Sequence, residues 1–145
     1  MNARRVVIFR PSLPRPYLAV MLAWQLFGGL LLLVDAVTPW TYSHGLAEGS
    51  AMTAVVGGMS TVGASAALAG LFAPPSRRER GWLVEACGHL ALSGSTTAFG
   101  ISTAGADASS VIEWSAAFAL AVASALRAVQ LVRHPVETAG PILER

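Results

Sequence analysis

Three long runs without a charged residue constrain the fold of this chain more than any other feature. Gly49 to Ser76 gives 28 such residues, Pro16 to Val34 gives 19, and Leu90 to Ala106 gives 17. About 20 mostly apolar residues in a helix cross the roughly 30 Å hydrocarbon core of a bilayer. Charged residues make up 12% of the chain and its mean hydropathy is +0.57, whereas soluble domains carry about 25% charged residues. The sequence therefore predicts an integral membrane protein.

The positions of these runs predict four helical spans. We expect them at 17–37, 51–72, 81–102 and 111–132, with a basic arm at 1–16 and a tail at 133–145. Pro74 and Pro75 end the second span, because a proline inside a helix removes a backbone hydrogen bond. The apolar run VVIF near the start is shorter than the core of a signal peptide, so we expect no cleaved signal. The predicted fold class is an all-α, integral membrane four-helix bundle with short loops.

The basic residues predict the orientation of the bundle. All ten are arginines, and all fall on one side of the predicted spans: Arg4, Arg5, Arg10, Arg15, Arg77, Arg78, Arg80, Arg127, Arg133 and Arg145. Basic residues accumulate on the cytoplasmic side of a membrane. We therefore expect a multi-pass protein of the bacterial inner membrane with both termini in the cytoplasm. The arginines then face anionic lipid headgroups, so the net charge of +2 requires no nucleic-acid partner.

Small residues are frequent in the second and fourth spans. The predicted packing positions are Gly57, Gly58, Gly63, Gly70, Ala117, Ala121 and Ala125. Small side chains let helix backbones approach closely in lipid, where no hydrophobic force drives helices together. This pattern predicts a tight bundle that also associates with further copies of itself. The first span is bulky and leucine-rich, and we expect it to face lipid.

Polar residues inside the predicted spans mark the candidate site. Glu85 and His89 lie four residues apart and share one face of a helix. Arg127 lies at a similar depth on the antiparallel fourth span, so we predict a Glu85–Arg127 pair, with His89 one turn deeper and Gln130 nearby. Three readings remain open: a structural ion pair, the polar lining of a water-filled path or an oligomer interface, and a metal site or proton relay.

A metal centre or an enzyme active site is not expected in this chain. Cys87 projects about 200° around the helix from Glu85, and His44 and His134 lie in other regions, whereas zinc takes about four ligands. The sequence contains no phosphate-binding loop, nucleophile elbow or metalloprotease motif. We therefore expect no cofactor and no catalytic residue. Gln25 lies near the middle of the first span, and Glu113 is expected in water at the outer interface.

The layout of basic cytoplasmic ends, small-residue helices and no catalytic motif resembles that of small multi-span holins. Bacteriophages of GC-rich actinobacterial hosts encode such proteins near their lysis enzymes. The resemblance implies accumulation in the inner membrane, oligomerisation, and formation of lesions or pores that support lysis of the host cell. It covers the layout of the whole chain and carries over no individual residue.

Two other functions fit the same sequence. One is a small transporter or channel subunit that works as an oligomer. Four-span drug exporters of the small multidrug type have this size, but they need a carboxylate embedded in the first span, and here the first acidic residue of that span is Asp35 at its outer end. The other is an accessory or assembly subunit that packs against another membrane protein through its small-residue faces.

Overall fold

The computed structural model describes residues 16–37, 51–106 and 111–133, and these form four α-helices. They are α1 (Pro16–Val37), α2 (Ala51–Leu71), α3 (Arg78–Ala106) and α4 (Val111–Arg133). A single 3₁₀ turn, Pro75–Arg77, precedes α3. The described part of the chain is therefore all-α, as the sequence predicts. The N-terminal arm, the loops at 38–50 and 107–110, and the tail from 134 lie outside the described residues.

Helices α1, α2 and α4 are each long and apolar enough to cross a membrane. Helix α3 spans 29 residues, so it is also long enough, but it is more polar than the other three. It contains Glu85, His89 and a stretch rich in serine, threonine and glycine between positions 93 and 105. The predicted third span is therefore a helix, but it is not among the three described helices that are apolar enough to cross a membrane.

The boundaries of α3 differ from those predicted. The helix begins at Arg78 and not at Gly81, and it ends at Ala106 and not at Ser102. The backbone N–H of Arg77 donates to the Pro74 carbonyl oxygen at 2.9 Å, which closes a tight turn directly before α3. Arginine and glutamate favour helical backbone, so the residues after this turn join the helix. The two prolines thus separate α2 from α3 over fewer residues than the sequence suggests.

Consecutive helices run antiparallel and pack on one another in chain order. Contacts join the residues around Gly29 of α1 to Gly57 and Thr61 of α2. A hydrogen bond joins Ser60 of α2 to Ser95 of α3. These contacts place the first residues of α1 and α3 and the last residues of α2 and α4 at one end of the bundle. We call it the arginine end, because Arg77, Arg80 and Arg133 are exposed there.

The apolar core lies between α1, α2 and α3. It consists of the buried side chains Leu22, Ala64, Ala67, Leu71 and Leu92. Of the three apolar helices, α2 is the most deeply buried in the bundle and α1 is the least buried. Among the described helices α1 packs backbone to backbone with α2, and it does not reach α4 in this way. Helix α1 is therefore held along one side.

Glycines bring α2 and α3 into close contact. A Cβ atom added at Gly63 would lie 2.9 Å from the carbonyl oxygen of Gly88, and one added at Gly70 would collide with the backbone of Gly81 and Glu85. Real Cβ atoms do not approach other atoms this closely, so both positions require glycine for the present helix separation. The predicted packing role of Gly63 and Gly70 has a physical basis here.

The other predicted packing residues fall into two groups. Gly57, Ala117 and Ala121 are buried at helix contacts, and Ala125 is half-buried. Gly58 was expected to pack in the same way, but a Cβ atom there would meet no heavy atom within 4 Å. Gly58 follows Gly57 directly and therefore points about 100° away from the α1 contact. Gly58 therefore packs against no other described helix of the same chain, and its predicted role in packing between copies stays a prediction.

Candidate functional site

Buried polar side chains of α3 form the candidate site. Every one of them is at least 90% buried in the protein, although they lie in a helix that is flanked by apolar neighbours: Glu85, His89, Ser95, Thr96 and Thr103. The spacing of these residues places them on the sides of α3 that face α2 and α4. The described bundle therefore surrounds its most polar helix with less polar ones, which separates these groups from the surroundings of the bundle.

Glu85 and Arg127 form a salt bridge between α3 and α4. The Nη2 and Nε atoms of Arg127 donate to Oε1 of Glu85 at 2.8 Å and 3.1 Å. The Glu85 side chain is 2% exposed and that of Arg127 is 20% exposed. A carboxylate this deeply buried requires a partner, because removing one member of a buried pair costs about 3–5 kcal/mol. The structure thus brings together the two residues that the sequence pairs.

His89 lies one helical turn beyond Glu85 and has no comparable partner. The residue is 3% exposed, and neither Nδ1 nor Nε2 has a hydrogen-bond partner among the described residues. A neutral imidazole has one donor and one acceptor nitrogen. Leaving such groups buried and unpaired costs about 1–3 kcal/mol each. Within the candidate site, His89 is therefore a buried side chain whose polar atoms no described residue satisfies.

A cavity of about 250 Å³ lies beside His89, between α1 and α4. We call it the first cavity. Its polar lining residues are Tyr17, Gln25, His89, Ser124, Arg127 and Gln130. Gln130 is exposed and lies near the arginine end, so it belongs to the rim of the cavity and not to the ion pair. Gln130 therefore shares the first cavity with His89, and it is not a member of the Glu85–Arg127 ion pair.

A second cavity of about 400 Å³ continues along the same two helices. It shares Gln25 and Leu120 with the first cavity, and it extends to Glu113 near the start of α4. Ser95 and Thr96 of α3 lie on its wall. The two cavities together form a cleft along the side of the bundle, the α1–α4 cleft, because α1 and α4 are not packed against each other.

Most hydroxyl groups of α3 are already bonded to the backbone. Thr96 Oγ1 donates to the Leu92 carbonyl oxygen at 2.7 Å, and Thr103 Oγ1 donates to that of Phe99 at 3.0 Å. Ser95 Oγ donates to the Leu92 carbonyl oxygen and accepts a hydrogen bond from Ser60 Oγ, both at 3.0 Å. No base activates any of these hydroxyls in the described structure. These hydroxyls join α3 to α2 and bond to backbone carbonyl oxygens of α3.

The remaining candidate residues lie apart from one another. Cys87 is exposed and points away from Glu85 and His89. No three histidine, cysteine, aspartate or glutamate side chains of the described residues lie together as metal ligands. Glu113 is exposed at the far end of the α1–α4 cleft. Arg4, Arg5, Arg10 and Arg15 lie outside the described residues, as does the side chain of Arg78.

Sequence reasoning missed two parts of this site. Gly81 and Gly88 of α3 contact α2, but they are not among the predicted packing residues. They are seven residues apart, as are Gly63 and Gly70 on the facing helix. That shared spacing is a signal the sequence contains. The cleft is the second part, since it depends on α1 and α4 remaining apart, and no residue pattern records that separation.

Comparisons with protein-family models, with curated proteins and with solved structures gave no match to this chain. The function of the chain is therefore inferred from the geometry of its helices and cavities.

Proposed function

We propose that the protein is a polytopic protein of the bacterial cytoplasmic membrane, with both termini in the cytoplasm. Large apolar side chains that point away from the bundle support this proposal. Trp24 is 72% exposed, Val37 is 82% exposed and Ile112 is 84% exposed, and similar residues occur along α1, α2 and α4. Soluble monomers rarely expose contiguous apolar patches larger than a few hundred Å². In a bilayer the same side chains contact lipid at no cost.

The charges at the two ends of the bundle support the proposed orientation. Arg77, Arg80 and Arg133 are exposed at the arginine end, whereas Glu113 lies toward the opposite end. Basic residues are retained on the cytoplasmic side. Reporter fusions after residue 145 test this part of the proposal. A fluorescent protein should fold there and alkaline phosphatase should stay inactive; the reverse pattern contradicts the orientation.

Within the membrane, we propose a holin-like action in which copies of the protein assemble and open lesions. The observation that carries this proposal is the polar side of α3, which the other helices cover in the single chain. Helix α1 lines both cavities and packs against α2 only, so its displacement opens the cavities, including the wall that Ser95 and Thr96 form, without breaking the α2–α3 glycine contacts. Polar sides of several copies would then line a hydrated opening.

Induced expression in a bacterium tests the lesion proposal. Membrane potential is followed with a fluorescent dye, together with cell density and entry of a DNA stain. We expect normal growth, then an abrupt loss of potential at a reproducible time. Unchanged potential at high membrane levels of the protein would refute a lesion-forming role. Gradual loss from the moment of induction would point to a continuously open channel instead.

Two neighbouring threonines provide a matched comparison for this experiment. Thr96 lines the cleft, whereas Thr97 does not, and each donates to a carbonyl oxygen four residues earlier at 2.7 Å. Thr96→Val should delay or weaken the loss of potential, because it removes a polar group from the proposed lining. Thr97→Val should leave the timing unchanged. Equal effects of both substitutions would indicate a general change in α3 and not a role in lining.

The α1–α4 cleft favours one alternative, a small channel or transporter subunit. It extends along both cavities within one chain and passes the side chains of His89, Gln25 and Thr96. In that case solute flux should depend on His89 while assembly does not. Flux into proteoliposomes that contain wild-type or His89→Ala protein measures this dependence, and size-exclusion chromatography in mild detergent reports on assembly.

A further inference from the structure

His89 is buried, has no hydrogen-bond partner among the described residues and lines a cavity. Its exposure is 3%, and both ring nitrogens lack a hydrogen-bond partner among the described residues. The first cavity beside it measures about 250 Å³. Both ring nitrogens are covered in the present side-chain conformation, and a rotation of the ring would turn one of them toward a molecule that enters the first cavity.

The lining of the first cavity offers further hydrogen-bonding groups. Gln25 contributes an amide from α1, Ser124 a hydroxyl from α4, and Arg127 a guanidinium. A guanidinium has five N–H donors, and two of those of Arg127 are directed at Glu85. Water held in a cavity needs two to four polar partners and about 30 Å³ of liquid volume per molecule. The first cavity meets both requirements for several waters.

We propose that the first cavity is a hydrated binding site, entered from the arginine end, in which water and small hydrogen-bonding solutes contact His89. This inference rests on the membrane location in the proposed function and extends it to a specific site. The position of the rim supports the direction of entry. Tyr17 is the second residue of α1, and the exposed Gln130 lies three residues before the end of α4.

The depth of the site follows from helix geometry. The predicted third span begins at Gly81, and His89 is eight residues further along α3, which at 1.5 Å per residue is about 12 Å. The hydrocarbon core of a bilayer is roughly 30 Å thick. The hydrated site therefore reaches more than a third of the way across, and Gln25 stands where the first cavity meets the second. Solute that passes Gln25 would enter the part of the cleft lined by Ser95 and Thr96.

The electrostatics of the lining define the kind of solute. The Glu85–Arg127 pair has no net charge, and the other polar groups that face the cavity are uncharged amides, hydroxyls and an imidazole. Such a lining suits small neutral molecules that both donate and accept hydrogen bonds, with water as the smallest. A strongly charged solute would find no unpaired charge on the described residues of the first cavity to compensate for its own.

Cysteine accessibility tests hydration of the first cavity. Cys87, the one cysteine of the chain, is exposed and is replaced first by Cys87→Ser. Ser124→Cys then introduces a thiol into the cavity lining, and Val122→Cys introduces one two residues away on the lipid-exposed side of the same helix. Both variants are reconstituted in lipid vesicles and treated with a small, uncharged, water-soluble methanethiosulfonate. Mass spectrometry follows the modified fraction with time.

We expect the Ser124→Cys thiol to react at least tenfold faster than the Val122→Cys thiol. Thiolate is the reactive form of cysteine, and it forms in water and not in hydrocarbon. Equal, slow reaction of both would overturn the proposal and show a cleft filled by lipid. Equal, fast reaction would overturn it as well, because α4 would then not lie in the bilayer. Ala123→Cys, which also lines the cavity, repeats the test at a small residue.

Two controls keep this result separate from the lesion proposal. Denaturation in detergent should make every introduced thiol react fast, which shows that the chemistry works at each position. The wild-type chain and the Cys87→Ser chain should depolarise cells equally. Fast reaction at Ser124→Cys without depolarisation would support the hydrated site and contradict lesion formation. Depolarisation with slow reaction at Ser124→Cys would support lesions and contradict the site.

Discussion

Replacement of Gly63 by alanine examines the closest helix contact of the bundle. A Cβ atom at this position would lie 2.9 Å from the Gly88 carbonyl oxygen and 3.1 Å from the Ala91 Cβ atom. The obstacle at Gly88 is backbone and cannot rotate aside, so α2 and α3 must separate to admit the methyl group. Gly58→Ala is the matched control, because it lies in the same helix and its Cβ atom would have no heavy atom within 4 Å.

The expected free energies follow from two opposing effects. Alanine in place of glycine stabilises a helix interior by about 0.5–1 kcal/mol. Extra atoms in a well-packed interior cost about 1–3 kcal/mol. Gly58→Ala should therefore raise the free energy of unfolding slightly. Gly63→Ala should lower it, and the two variants should differ by about 1–3 kcal/mol, since the helix-propensity gain is common to both.

Unfolding in mixed detergent micelles measures this difference. Sodium dodecyl sulfate is increased at constant total detergent, and the fluorescence of the four tryptophans reports on loss of tertiary structure. Equal stabilisation by Gly63→Ala and Gly58→Ala would refute the close approach of α2 and α3. Gly88→Ala, whose Cβ atom would meet the backbone of Gly63 and Ala67 from the other side, should reproduce the loss.

Three other predictions concern polar side chains. Glu85→Gln or Arg127→Gln alone should lower the free energy of unfolding by about 3–5 kcal/mol, and exchanging the two charges in one chain should recover part of the loss; harmless single variants would contradict the pair. A double-mutant cycle with Ser60→Ala and Ser95→Ala should give a coupling near 0.6 kcal/mol, the average for hydrogen bonds between membrane helices, and zero coupling would contradict the bond. Cys87→Ser should change stability by less than about 0.5 kcal/mol, because the thiol is exposed.

Long charge-free runs made the helices predictable from the sequence. Helix existence follows from apolar length, and three of the four helices end within one residue of the predicted positions. The first residue of α3 was harder to predict. Proline is accepted in the first turn of a helix, and the residues on both sides of Gly81 favour helical backbone. Composition shows which segments are long and apolar enough to form these helices. The residue at which a helix begins or ends depends on local backbone hydrogen bonds.

The Glu85–Arg127 pair was predictable because buried charge leaves few choices. In an antiparallel pair of helices, each depth on one helix corresponds to one depth on the other, and Arg127 is the one basic residue inside the fourth predicted span. The α1–α4 cleft was not predictable. The cleft exists because α1 packs against α2 and not against α4. That packing depends on close contacts of single glycines such as Gly29 and Gly57. Small-residue patterns show that helices approach, but they do not identify the partner of each.

The salt bridge between α3 and α4 has a consequence for the order in which the protein is made. Glu85 is synthesised forty-two residues before Arg127. Helix α3 therefore leaves the ribosome before the partner of its carboxylate has been made. A carboxylate at that depth is costly in lipid. Helix α3 would therefore remain at the insertion machinery until α4 arrives, and the two would enter the bilayer as a hairpin.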